Sequence, residues 1–288
     1  MRLNYLLPVL AASTAVKAYS SQSPILDAPE ALTTVHTHSA FPHHSLSITR
    51  HAPGISTENV ERSSDDLTLD KVCPGIAGAY TGYLTVGEKH FFFAYFDSLS
   101  KPEDDPLVMW INGGPGQYPS LLSGPGCTFD DDIDRTTGCS SMTGLLMEQG
   151  PCRVSDDGKS ATKNKYSWIN AANVFFLDQP IGVGFSYTTN SSIHADGTFA
   201  ASEDVYAFMQ LWYSAFPPSR SLPFSIAGES YGGHYIPIFA QHINEMNQIS
   251  PKDQQIPLES VLIGNGIFSD TVQTTSYYDI PCTNVTGM

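Results

Sequence analysis

Residues Phe224-Ser225-Ile226-Ala227-Gly228-Glu229-Ser230-Tyr231-Gly232-Gly233-His234-Tyr235 decide the fold. Phe224 to Ala227 is a short apolar run that predicts a buried strand. The apolar spacing from about Gly233 to Asn247 predicts a helix. Between them Gly228-Glu229-Ser230-Tyr231-Gly232 fits G-x-S-x-G in the strand-turn-helix setting the motif needs. A turn this sharp strains the serine backbone and lifts its hydroxyl above the sheet, at the positive end of the helix, where an oxyanion is stabilised. Glycines two before and two after leave room for neighbouring chain. Ser230 is therefore the candidate catalytic nucleophile.

Working outward, Tyr80–Val86 and Lys89–Asp97 predict a hairpin about Gly87-Glu88. Pro106–Ile111, Asn173–Leu177 and Ser260–Ile263 predict further strands, and Thr198–Phe216 an amphipathic helix. Apolar strands alternating with helices predict an α/β fold with a mainly parallel central sheet covered on both faces. Asn112-Gly113-Gly114-Pro115-Gly116 follows the strand ending at Ile111. Paired glycines let a backbone N–H approach a reacting carbonyl without a Cβ in the way. The oxyanion hole is accordingly assigned to the N–H groups of Gly114 and Tyr231.

The chain has 288 residues, 14 basic and 29 acidic, for a net charge of −15. Nucleic acid and anionic membrane both require a basic face, so neither is an expected partner. Residues 1–18 read as a secretory signal. Arg2 begins it, Leu6–Val16 is too short to span a bilayer, and the cut falls after Ala18. No other segment reaches the 18 apolar residues of a membrane span. Residues 19–70 are polar, show no sustained period and read as a pro-segment or mobile extension. Five histidines lie there (His36, His38, His43, His44 and His51), with no framing strand or helix expected around them. Asn190 and Asn284 begin glycosylation sequons. Cys73, Cys127, Cys139, Cys152 and Cys282 are disulfide candidates in a secreted chain, with one left over. No CxxC pair or ligand cluster is present, and no metal or cofactor is expected.

Three stretches carry a resemblance to the serine carboxypeptidases: Gly228 to Pro237, Trp110 to Gly116, and Phe176-Leu177-Asp178-Gln179-Pro180-Ile181-Gly182-Val183-Gly184-Phe185-Ser186-Tyr187. Gly264-Asn265-Gly266 with Tyr277-Tyr278 resembles a fourth. The resemblance runs from about Cys73 to Cys282. It implies an α/β-hydrolase fold, release of C-terminal residues from peptides, and a vacuolar, lysosomal or extracellular setting. It also implies that Asn112, Glu148 and Glu229 hold the substrate's C-terminal carboxylate. A carboxylate beside a carboxylate repels unless a proton is shared, which favours acid pH.

Two departures stand out. In α/β-hydrolases an acid and then a histidine follow the nucleophile along the chain. The histidines after Ser230 are His234 and His242, and His234 is expected to point away from the hydroxyl. Asp253, Asp270 and Asp279 lie in no matching motif. Residues 71–288 thus read as an incomplete hydrolase domain lacking its last strands, its base and acid, and the partner of Cys139, and inactive alone. In the family pattern Gly116 is followed directly by Cys-Ser-Ser. Here 22 residues, Gln117 to Gly138, intervene before Cys139-Ser140-Ser141. A whole number of codons makes a retained short intron the favoured source over a lid loop. Competing readings are an acyltransferase or esterase on the same scaffold, and a non-catalytic truncated product.

Overall fold

The computed structural model describes residues 33–51, 73, 76, 78–114, 138–193, 197–269, 271–273 and 276. The signal segment, most of the 117–138 insert and Asn284 lie outside them. The first strands are β1 (Thr33–His38), β2 (Phe41–His51), β3 (Ala79–Val86), β4 (Lys89–Phe96) and β5 (Leu107–Ile111). Helix α1 (Met142–Met147) follows, then β6 (Cys152–Val154), β7 (Ala161–Lys163), β8 (Asn173–Leu177) and β9 (Tyr187–Thr188). Next come α2 (Thr198–Ala215), β10 (Phe224–Glu229), α3 (Gly232–Ile249) and β11 (Leu258–Gly264).

The main sheet has the order β1-β2-β3-β4-β8-β5-β10-β11. β8, β5, β10 and β11 run parallel, as the alternation of strands and helices predicts. β1 to β4 form an antiparallel side that joins β8 through β4. Strict alternation sorts the central strands onto two cores. Phe91, Phe93 and Tyr95, with Met109 and Phe175, face the helices α2 and α3, where Phe208, Trp212, Ile236 and Phe239 meet them. Phe92, Ala94 and Phe96, with Trp110 and Phe176, face the other side, beneath Met142, Leu145 and Ile169. Two-sided burial explains why these strands read as continuous apolar runs. A 2.7 Å ion pair from Lys89 Nζ to Asp204 Oδ2 ties β4 to α2. Among the described residues β11 is the last strand of the sheet, and its Val261 and Leu262 are exposed.

The segment from 19 to 70 departs from the expectation of an extension without strands. β1 and β2 lie within it and extend the sheet by pairing with β3. Leu46 and Ile48 are buried on one face while Ser45, Ser47 and Thr49 flank them. Two apolar residues are too short an alternation to announce a strand; the neighbouring hairpin supplies the rest of the hydrogen bonding. His36, His38, His43, His44 and His51 sit on these strands. A disulfide joins Cys73 to Cys152. Cys139 is also disulfide-bonded, so its partner belongs to this chain and not to a downstream segment, contrary to the expectation.

Candidate functional site

β10 delivers the chain to Ser230, and α3 starts two residues later. Ser230 has φ of 53°, a left-handed value that a residue with a Cβ seldom adopts. The surroundings hold it there. Its N–H donates to the Gly264 carbonyl at 3.0 Å, and its carbonyl accepts from Gly233 N at 3.0 Å and Ile267 N at 2.7 Å. The Gly264-Asn265-Gly266 turn after β11 therefore clamps the elbow. A Cβ on Gly228 would strike the Ile111 carbonyl, as the motif's spacing implies. After the serine the crowded position is Gly233, where an added Cβ would lie 2.5 Å from the Ile267 carbonyl oxygen. A Cβ added at Gly232 would meet the Ile236 side chain first, at an ordinary 3.5 Å.

The loop after β5 packs against this elbow. A Cβ on Gly113 would lie 2.5 Å from the Tyr231 amide nitrogen and 2.9 Å from Ser230 Cβ. Gly114 follows with φ of 72° and lies against Cys139. The Cys139 N–H donates to the Gly113 carbonyl at 2.8 Å, which joins the two loops. The structure thus brings Ser230, Tyr231 and the Gly113-Gly114 pair together at the C-terminal ends of parallel strands, the usual ligand end of an open α/β sheet.

Asn112, Glu229 and Glu148 meet beside them. Asn112 Nδ2 donates to Glu229 Oε1 at 3.2 Å. The Asn112 side chain is fixed by Trp110 Nε1 at 2.7 Å and Gly144 N at 3.1 Å, both donating to Oδ1. Its N–H donates to Ser141 Oγ at 3.1 Å. Glu148 stands at the end of α1, where Asn164 Nδ2 donates to its carbonyl at 2.8 Å. Burial first, and the neighbouring Glu229 second, push the Glu148 carboxyl above its ordinary pKa, while a hydrogen bond from Asn112 opposes the shift. A carboxyl that readily holds a proton, next to a carboxylate and an amide donor, is a suitable receptor for another carboxylate.

One residue of the site was not singled out by the sequence. Asp178, at the C-terminal end of β8, is fully buried. It accepts from Ser141 N at 2.7 Å, Ser140 Oγ at 2.8 Å and Phe185 N at 2.9 Å. Ser141 Oγ in turn donates to the Leu177 carbonyl at 2.6 Å. Burial pushes Asp178 up to about 6 despite those donors. The available signal was an acid closing an entirely apolar strand. His234 stacks on Tyr231 with ring centroids 4.3 Å apart, and no hydrogen bond joins it to Ser230 among the described residues. Asn190 lies in the turn after β9, where its Nδ2 donates to Glu88 Oε2 at 3.0 Å. Among the described residues no helix is long and apolar enough to cross a membrane.

The serine carboxypeptidase family model matches residues 74–121 and 137–285, and the break falls inside the insert. Carboxypeptidase Y homolog A of Phaeosphaeria nodorum is 42% identical over 224 residues, covering 75% of this chain and 36% of that protein. Carboxypeptidase Y of Komagataella phaffii is 42% identical over 205 residues, covering 70% and 33%. The crystal structure of Kex1(delta)p, a prohormone-processing carboxypeptidase from Saccharomyces cerevisiae, superimposes with a TM-score of 0.58 at 28% identity. That match covers 72% of this chain and 43% of the other. The matched region spans about a third of the length of these curated relatives.

Proposed function

Because this chain belongs to the serine carboxypeptidase family, we propose that Ser230 is the nucleophile for removing C-terminal residues from peptides. Its hydroxyl oxygen attacks the last peptide carbonyl and the N–H groups of Gly114 and Tyr231 receive the oxyanion; the C–N bond then breaks and the terminal amino acid leaves with the serine's proton on its amine. Water then releases the acyl group from the serine. Asn112, Glu148 and Glu229 hold the substrate's terminal carboxylate, with a proton shared among the carboxyl groups. The meeting of these three side chains beside the strained elbow carries the reading. No general base is assigned among the described residues. A stoichiometric burst with an acylating serine reagent that Ser230→Ala abolishes supports Ser230 as the nucleophile, and a burst that persists in Ser230→Ala overturns it.

Binding provides the test that needs no base. Titrated at acid pH, a blocked dipeptide with a free C-terminus binds, and its C-terminal amide binds at least about tenfold more weakly, since the amide cannot share a proton with the glutamates. Equal affinity for acid and amide overturns the carboxylate receptor and favours an esterase or acyltransferase. The working environment that fits is the secretory pathway, vacuolar or extracellular, with residues 1–18 removed, 19–70 a candidate pro-segment and glycans on Asn190 and Asn284. Peptides with a free C-terminus are the partners; the charge of −15 argues against nucleic acid and anionic membrane.

A further inference from the structure

At the opposite end of the sheet from Ser230 is a cavity of about 240 Å³. Its place follows from the strand register. Phe96 at the end of β4 pairs with Val174 near the start of β8, and Leu107 opens β5 opposite Asn173. The nucleophile instead follows the end of β10. One strand length, roughly 17 Å, separates the two ends. Tyr80, Tyr95, Trp212 and Phe216 line the cavity and form a closed circuit of contacts. Ring centroids are 5.6 Å apart for Tyr80–Tyr95, 4.6 Å for Tyr95–Trp212, 4.3 Å for Trp212–Phe216 and 5.5 Å for Phe216–Tyr80.

Two carboxylates, Asp97 and Glu103, also line the cavity, and the rest of the wall is Pro102, Pro218, Ser219, Ser221 and Leu222. Asp97 is partly buried, and burial pushes its carboxyl above the ordinary value. Among the described residues it forms no ion pair, although a hydrogen bond from Tyr95 partly opposes the effect of burial. Arg50, on β2 opposite Tyr80, acts on it only at a distance. Aromatic faces are the negative side of the ring quadrupole, so four rings and two acids converge on one sign of ligand. The volume suits a single side chain and is below that of an ordinary small-molecule pocket.

We propose that this cavity binds an organic cation, the guanidinium or ammonium end of an arginine- or lysine-like group, seated on the aromatic faces and neutralised by Asp97 and Glu103. The site is separate from the Ser230 centre and does not depend on the function proposed there. The cation is carried either by a free amine or by a polypeptide side chain, and the probes separate these sources.

The full chain is titrated calorimetrically with agmatine, with acetyl-Gly-Arg-Gly-amide, and with the same peptide carrying neutral citrulline. The amide ends keep the peptides away from the carboxylate receptor. The two cations saturate a single site, and the citrulline peptide binds at least about tenfold more weakly. Asp97→Asn weakens cation binding roughly fivefold or more. Glu103→Gln, at an exposed position that the fold tolerates, weakens it roughly twofold to threefold. A peptide much tighter than agmatine assigns the site to a polypeptide side chain; equal affinity assigns it to a free cation. Equal binding of the arginine and citrulline peptides, no saturation by either cation, or wild-type affinity in both variants overturns the proposal.

Discussion

Replacing Asp178 by Asn tests how the loops around Ser230 are held. Asp178 is raised to about 6 in the fold, from an ordinary value of 3.8, with burial as the main cause. Between those values the folded chain keeps a proton that the unfolded chain has released. Stability therefore falls as pH rises from about 4 to about 6, and the full penalty stands above that range. At 1.36 kcal/mol per pH unit, the interval of roughly two units corresponds to about 3 kcal/mol. The group is fully buried, so solvent screening removes little of this.

In Asp178→Asn that pH-dependent contribution disappears. A constant cost replaces it. If the Asn oxygen keeps Ser140 and Ser141, its NH₂ faces the Phe185 N–H, which now donates to Asp178 at 2.9 Å. Two donors facing one another in a buried site cost about 1–3 kcal/mol. The variant is thus less stable than wild type near pH 4, and close to it or slightly more stable near pH 7. Urea unfolding of both proteins across this range measures the difference, in which the other carboxylates cancel. The stability difference should swing by about 3 kcal/mol, in favour of Asn as pH rises. A difference that stays flat refutes the buried-acid account.

Gly113→Ala places a Cβ 2.5 Å from the Tyr231 amide nitrogen and from the Glu229 carbonyl. It should lower stability by about 1–3 kcal/mol in a denaturant melt, and an unchanged melt contradicts the contact between the β5 loop and the elbow. Ser230→Gly relieves the left-handed backbone that Ser230→Ala retains, so the glycine variant should unfold at the higher temperature, by a difference of about 1 kcal/mol. The reverse order argues that the elbow is unstrained. Removing both Cys73 and Cys152 opens a link between residues 79 apart, and should cost about 4 kcal/mol in the chain-entropy estimate. A loss below about 1 kcal/mol would mean that the reduced chain keeps these segments together.

The parts of the fold legible in the sequence are those specified by adjacent residues. β5, β8 and β10 are short apolar runs closed by turn residues, and the elbow is a local motif; both appear where expected. β1 and β2 were not legible, because Leu46 and Ile48 show their alternation only once β3 is beside them. Asp178 escaped notice for a similar reason, since its donors Ser140 and Ser141 lie 38 and 37 residues away. The convergence of Asn112 and Glu229 spans 117 residues, and only the family resemblance pointed to it. Which glycine is crowded after Ser230 depended on Ile267, a residue contributed by another turn.

Asp178 and the Asn112–Glu229 pair are joined by one hydrogen-bonded path. Asp178 accepts from the Ser141 N–H, Ser141 Oγ accepts from the Asn112 N–H, and Asn112 Nδ2 donates to Glu229. At one end of that path Asp178 takes up a proton as pH falls through about 6. Beside its other end, Glu148 also holds its proton more tightly than an exposed glutamate, because of burial and of Glu229. Acidification therefore removes the penalty of a buried charge behind the loop, and on the other side it lessens the repulsion between Glu148 and Glu229. Both effects have the same sign, so acid pH relieves the scaffold of the site and, under the proposed function, favours the arrival of a peptide C-terminus as well. A chain carrying a net charge of −15 gains further in the same direction, since protonation lowers its self-repulsion.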